Sequence, residues 1–178
     1  MKLLNREASS ARSRPEEVLK QLRVSEGQAV ADLGSGGGYF TLVFASKTGA
    51  AGRVYAVDVE KKYLDFIKRQ AKRAGLGNIV LVLADKGEAD LPKAGLDLIF
   101  ARNVFHHLPE PPDYCARLKK YLKPGGKVAI VEHKKKGFIA CLGIIRRGKP
   151  LCMTWKKPDT SRWGHSIFCL IRPLLCSA

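Results

Sequence analysis

Short apolar runs alternate along the chain with longer stretches whose apolar residues return every three or four positions, and the alternation persists to about residue 132. The runs Val30–Leu33, Arg53–Val57, Ile79–Ala84, Leu96–Ala101 and Lys127–Glu132 predict five strands. Pro15-Glu16-Glu17 starts a helix through Leu22, a second helix opens at Tyr39, and others are predicted over Lys61–Ala74 and Pro111–Leu122. Gly75-Leu76-Gly77-Asn78 and Lys123-Pro124-Gly125-Gly126 are turns that feed the third and fifth strands. Strands alternating with helices predict an α/β fold, doubly wound, with a mostly parallel sheet and helices on both faces. Ligands of such sheets sit at the carboxyl ends of the strands.

The end of the first strand carries the most specific chemistry. Val30-Ala31-Asp32-Leu33-Gly34-Ser35-Gly36-Gly37-Gly38-Tyr39 places glycines at alternate positions between strand and helix. Gly34 can take the positive φ of a tight turn, and Gly36 and Gly38 lack the Cβ atoms that would hold a ligand off the backbone. A dinucleotide-binding turn needs a small residue where Tyr39 stands, so the G-x-G-x-x-G pattern fails. Asp32 would repel a pyrophosphate and attract an ammonium or sulfonium group. The second strand ends in Asp58, where a carboxylate can accept both hydroxyls of a ribose. Glu60 is the alternative acceptor.

With its acidic-x-G-x-G-x-G spacing, the chain resembles the class I S-adenosylmethionine-dependent methyltransferases over about residues 15–136. The resemblance implies a Rossmann-like fold and S-adenosylmethionine as cofactor, bound by Asp32, Gly34, Gly36, Gly38 and Asp58, with Asp85 at the third strand end pairing with the adenine amino group. The Pro-Gly-Gly turn before the fifth strand is a second mark of that family, and the stretch Asn103–Pro109 with its paired histidines looks like the small-molecule group that includes the ubiquinone and menaquinone biosynthesis C-methyltransferases. The expected reaction is transfer of a methyl group to a small-molecule acceptor by in-line displacement. That step needs mainly alignment and water exclusion, with a base only where the acceptor must lose a proton.

His106 is the candidate base, and His107 adjoins it. The competing reading has one histidine packed and the other solvated. Neighbouring histidines diverge and no third ligand is spaced to join them, so no metal site is expected. Tyr39 opens a helix, where an aromatic is more often core than cofactor contact. Each aspartate taken alone reads equally as a cap or turn former, and their joint spacing is what favours a site.

Charge changes the picture only in the last quarter. Residues 1–132 hold 22 Lys and Arg against 15 Asp and Glu, whereas residues 133–178 hold 10 against 1, within an overall net charge of +16. That quarter also holds four of the five cysteines and both tryptophans, without helical or alternating periodicity. A reading-frame shift near residues 137–141 accounts for the break. Taking the third base of each codon as the first of the next turns Met153-Thr154 into aspartate and Trp155-Lys156 into glutamate whatever the codons. Permitted codons for Leu142–Thr160 then read LGHYTPREALVYDMEKAGY, an amphipathic helix with a Thr-Pro start and a Gly-Tyr end.

The domain reading is therefore a cofactor-binding unit over residues 1–136, with a basic arm at 1–14, and an atypical tail at 137–178 that leaves the sheet without its final antiparallel strands. On this reading the tail's charge gives no support for a nucleic-acid partner. The alternatives are a nucleic-acid-associated methyltransferase or binding module, and a truncated pseudoenzyme that binds cofactor without turnover. The apolar stretches Ile139–Ile145 and Ile167–Cys176 are too short to span a bilayer, the cysteines form no C-x-x-C pair, and a cytoplasmic protein is expected.

Overall fold

The structure, a computed structural model, describes residues 2–85, 88–104, 114, 117–133 and 166–171. Six strands, β1 (Ala29–Leu33), β2 (Arg53–Asp58), β3 (Ile79–Leu83), β4 (Leu96–Arg102), β5 (Leu122–His133) and β6 (Ser166–Ile171), form one sheet in the order β3-β2-β1-β4-β5-β6. The first five are mutually parallel. The order reverses between β1 and β4, and that switch point opens a crevice above the carboxyl ends of the strands.

One expectation is qualified and one corrected at the β5 edge. A strand from the tail does join the sheet: Ser166–Ile171 pairs antiparallel with Val128–His133. A short apolar run can satisfy an open edge by main-chain pairing alone, without a partner hairpin. β5 also begins earlier than its apolar run, because Leu122 pairs with Leu96 and an irregularity before Leu98 absorbs the turn at Gly125, whose φ is +78°. Residues 134–165, which include the proposed site of the frame shift, lie outside the described residues.

The helices are α1 (Lys2–Ala8), α2 (Pro15–Leu22), α3 (Tyr39–Thr48) and α4 (Lys61–Arg73). Of the helix expected over 111–122, Tyr114, Arg117 and Leu118 are helical, and the chain leaves through a 3-10 turn at Lys119–Tyr121. Alternation along the strands separates two cores. Val30, Val54, Leu98 and Phe100 face α2 and α3, where Phe40 and Phe100 lie 4.8 Å apart between ring centres and Phe44 meets Phe100 edge-on. On the other face Ala31, Leu33, Ile99 and Ile130 pack against Leu91, Leu118 and Tyr121. Asp97 pins the far end of the sheet by accepting from Ala29 N–H at 2.8 Å and from Lys123 Nζ at 2.7 Å. Side chains thereby pack on both faces, and the strand ends at the switch point are open. No helix among the described residues is long and apolar enough to cross a membrane.

Candidate functional site

The crevice at the switch point has a volume of about 310 Å³. Asp32 and the turn from Gly34 to Gly37 form its floor, Asp58 and Tyr63 one side, and Arg102, Asn103 and Val104 the other. α1 supplies the lip, with Leu4 and Glu7 facing the opening. A larger depression of about 380 Å³ lies at the opposite end of the sheet, by Arg53 and Asn78, but no carboxylate lines it.

Asp58 is buried and both its oxygens are engaged: Oδ2 accepts Gly36 N–H at 2.8 Å and Oδ1 accepts Glu60 N–H at 3.0 Å. The carboxylate thus fixes the glycine turn against the end of β2, and Ser35 N–H donating to Val57 C=O at 3.0 Å makes a second tie. Each carboxylate oxygen keeps a lone pair for a ribose hydroxyl. Glu60 instead turns to Lys62, whose Nζ lies 2.9 Å from it, so the geometry favours Asp58. Asp58→Ala is expected to weaken S-adenosylmethionine binding by about 1.5–3 kcal/mol, the worth of hydrogen bonds to a charged group. Isothermal titration checks it, and an unchanged dissociation constant in the folded variant would remove Asp58 from the site.

Asp32 is buried beside Asp58 and accepts from Thr41 Oγ1 at 2.5 Å. Burial pushes its carboxyl up to about 7; the Thr41 hydrogen bond opposes this, the Asp58 charge adds to it, and the Arg102 charge opposes it. A buried carboxyl near half-protonation at neutral pH favours a cation that neutralises it.

The glycines divide. Gly34, at φ +66°, stands where an added Cβ would lie 2.2 Å from Val104 Cγ2, so it lets the β4 loop close over the turn. Gly36, at φ +50°, would meet Leu4 Cδ1 at 3.6 Å and Gly34 O at 3.8 Å, both ordinary contacts, and is the glycine that keeps the floor clear. Gly38 differs: an added Cβ would lie 2.5 Å from Ile67 Cγ1, and the residue caps α3 at φ +81°. Its freedom serves the packing of α3 on α4. Gly37 lines the crevice in its place.

Asp85 is exposed at the end of β3, bridged through its main chain to Glu88, and is not brought to the crevice wall with Asp32 and Asp58. Tyr39 does line the crevice, edge-on to Phe40. His106 and His107 lie outside the described residues. Sequence reasoning missed Arg102, which donates to Ser13 Oγ at 2.8 Å and lies over the Phe40 ring. It also missed the exposed apolar side chains of Val59 and Leu83 at neighbouring strand ends, 66% and 56% accessible. An apolar residue within two positions of a strand-end acid was the signal available for these two.

A family model described as a methyltransferase domain matches residues 24–161. The chain belongs to the methyltransferase-domain family. A demethylmenaquinone methyltransferase from Geobacillus sp. (strain WCH70) is 28% identical over 120 residues, covering 66% of this chain and 50% of that protein. A protein-L-isoaspartate O-methyltransferase from Methanococcoides burtonii is 34% identical over 91 residues, covering 51% and 44%. The chain therefore spans about half the length of the curated relatives it matches. A methyltransferase from Aquifex aeolicus shares the fold, with a TM-score of 0.72 at 24% identity over 90% of this chain and 89% of that one. The expected cofactor of a methyltransferase domain, S-adenosylmethionine, stands with the assignment. The crevice fits it in kind: a buried acid beside a cleared glycine floor, a second buried acid at the adjacent strand end, and exposed apolar side chains nearby.

Proposed function

We propose that this chain is an S-adenosylmethionine-dependent methyltransferase whose acceptor is a small molecule. The observation that carries the acceptor class is the closure of the crevice by the α1 arm: Leu4, Asn5, Glu7 and Ala8 stand over the glycine turn, and a hydrogen bond from Arg102 to Ser13 holds the chain that follows. A crevice partly roofed in this way suits a compact acceptor better than a folded polypeptide. When bound, the cofactor supplies an electrophilic methyl group. Asp32 holds the cationic amino-acid end, Asp58 holds the ribose, Val59 and Leu83 cover the base, and the arm excludes water from the line of transfer. His106 is proposed as the base for an acceptor that must lose a proton. Residues 1–136 form the cofactor-binding unit, Gly38 supporting it through α4 and Asp85 remaining a proposed adenine contact from outside the wall.

The similarity to a demethylmenaquinone methyltransferase favours an activated ring carbon as the acceptor atom, and the similarity to isoaspartate O-methyltransferases favours a peptide carboxylate. The test supplies methyl-labelled S-adenosylmethionine with a hydroquinone in one arm and an isoaspartyl peptide in the other. Label in the hydroquinone is expected. Label in the peptide alone would overturn the small-molecule reading, and binding without transfer to either would favour the pseudoenzyme.

A further inference from the structure

β3 is the last strand of the sheet, and no described residue pairs with its outer side. Val54 N–H donates to Asn78 C=O and Ala84 N–H donates to Asp58 C=O, so the even-numbered residues of this stretch turn their main-chain groups towards β2. Alternation then turns the N–H and C=O of Ile79, Leu81 and Leu83 outward. The strand Ile79-Val80-Leu81-Val82-Leu83 carries no charge and no proline, the devices that ordinarily blunt an edge.

α4 packs behind this edge, with Leu64 and Ile67 in one cluster with Ile79 and Leu81. Tyr63 lines the crevice, so that flank of α4 faces the middle of the molecule. The helical repeat puts Lys61, Lys68 and Lys72 on the other flank, above the free edge. Lys61 is paired with Asp65 at 3.1 Å. Lys68, Arg69, Lys72 and Arg73 are exposed and form no ion pair among the described residues. Apolar strand and basic rim are thus continuous.

We propose that the outer edge of β3 docks an extended acidic segment of a partner protein, which adds a strand to the sheet while its carboxylates meet Lys68 and Lys72. The outward main-chain groups supply the pairing and the cations select the partner. A second copy of this chain is disfavoured because a two-fold pairing would set the two basic rims against each other. A polynucleotide would satisfy the cations and leave the main-chain groups of β3 unused.

The test uses the full chain and a labelled short peptide of alternating valine and glutamate, read by fluorescence polarisation and by amide hydrogen exchange. Expected are binding that weakens with salt, and new protection at Ile79, Leu81 and Leu83 with Val80 and Val82 unchanged. Leu81→Pro deletes an outward donor without touching the β2 ladder and should weaken binding about tenfold. Reversal of Lys68, Arg69, Lys72 and Arg73 to glutamate should abolish binding while S-adenosylmethionine titration still reports an intact fold. Equal binding of a valine–lysine peptide, protection confined to other amides, or full affinity in the charge-reversed variant would overturn the proposal. So would dimerisation of the free chain through β3.

Discussion

Gly38→Ala is expected to destabilise the fold by about 2–5 kcal/mol, against about 1–2 kcal/mol for Gly36→Ala. Both residues sit at positive φ, +81° and +50°, so both alanines carry the cost of a left-handed backbone. Only at Gly38 does the new Cβ also meet packed atoms, with Ile67 Cγ1 at 2.5 Å and Cδ1 at 3.2 Å. Ile67 is fully buried between α4 and the sheet and has no room to give. Cofactor affinity should rank in the opposite sense, because a methyl at Gly36 stands on the crevice floor under Leu4. Urea unfolding and isothermal titration on both variants check the pair. A second-site Ile67→Ala change removes the clash but not the φ cost, so the double variant should show favourable coupling with Gly38→Ala. Wild-type stability in Gly38→Ala, with loss of cofactor binding alone, would restore Gly38 to the ligand site.

That division among glycines marks where the sequence stops being legible. The strand series, its parallel order and the placement of Asp32 and Asp58 at adjacent strand ends follow from local period and topology, and the structure brings those residues together. Gly34 and Gly36 were readable because the turn imposes their φ locally. Gly38 was not, since the atom that needs its space belongs to Ile67, on a helix beyond the next strand. The same distance hid the Arg102 bond to Ser13, which spans 89 positions of chain and leaves no periodic trace. β6 is a different case: the charge and missing periodicity of the tail argued against a finished sheet, and one apolar run of it still pairs with β5, because main-chain pairing requires neither side-chain complementarity nor a hairpin.

Arg102 also changes how the crevice's electrostatics are read. From sequence, Asp32 is simply an anion two residues ahead of a glycine. In the folded chain it is a buried acid between a second acid and an arginine, and burial is the largest influence on it. Its charge is therefore conditional on what occupies the crevice, and it couples the site to the stability of the whole domain.

The free protein is accordingly expected to lose stability as pH rises through about 7, and cofactor binding to strengthen over the same range. The sign follows from the raised value: the Asp32 carboxyl holds its proton more tightly folded than unfolded, so its favourable contribution is complete below the ordinary 3.8 and is lost as pH passes 7. Each pH unit across that interval is worth about 1.4 kcal/mol, with a total of a few kcal/mol for a group this deeply buried. An ammonium group in the crevice reverses the preference by pairing with the ionised form. Binding should then expel a proton below neutrality, with affinity rising up to about tenfold per unit and levelling above about pH 7. Titration in two buffers of different ionisation enthalpy measures the proton count directly. Asp32→Asn should abolish proton release, flatten the pH dependence of both stability and affinity, and leave a weaker site that still folds, since the amide carbonyl can keep the Thr41 hydrogen bond. Proton release that persists in Asp32→Asn would assign the linkage to another group and separate Asp32 from the cationic end of the cofactor.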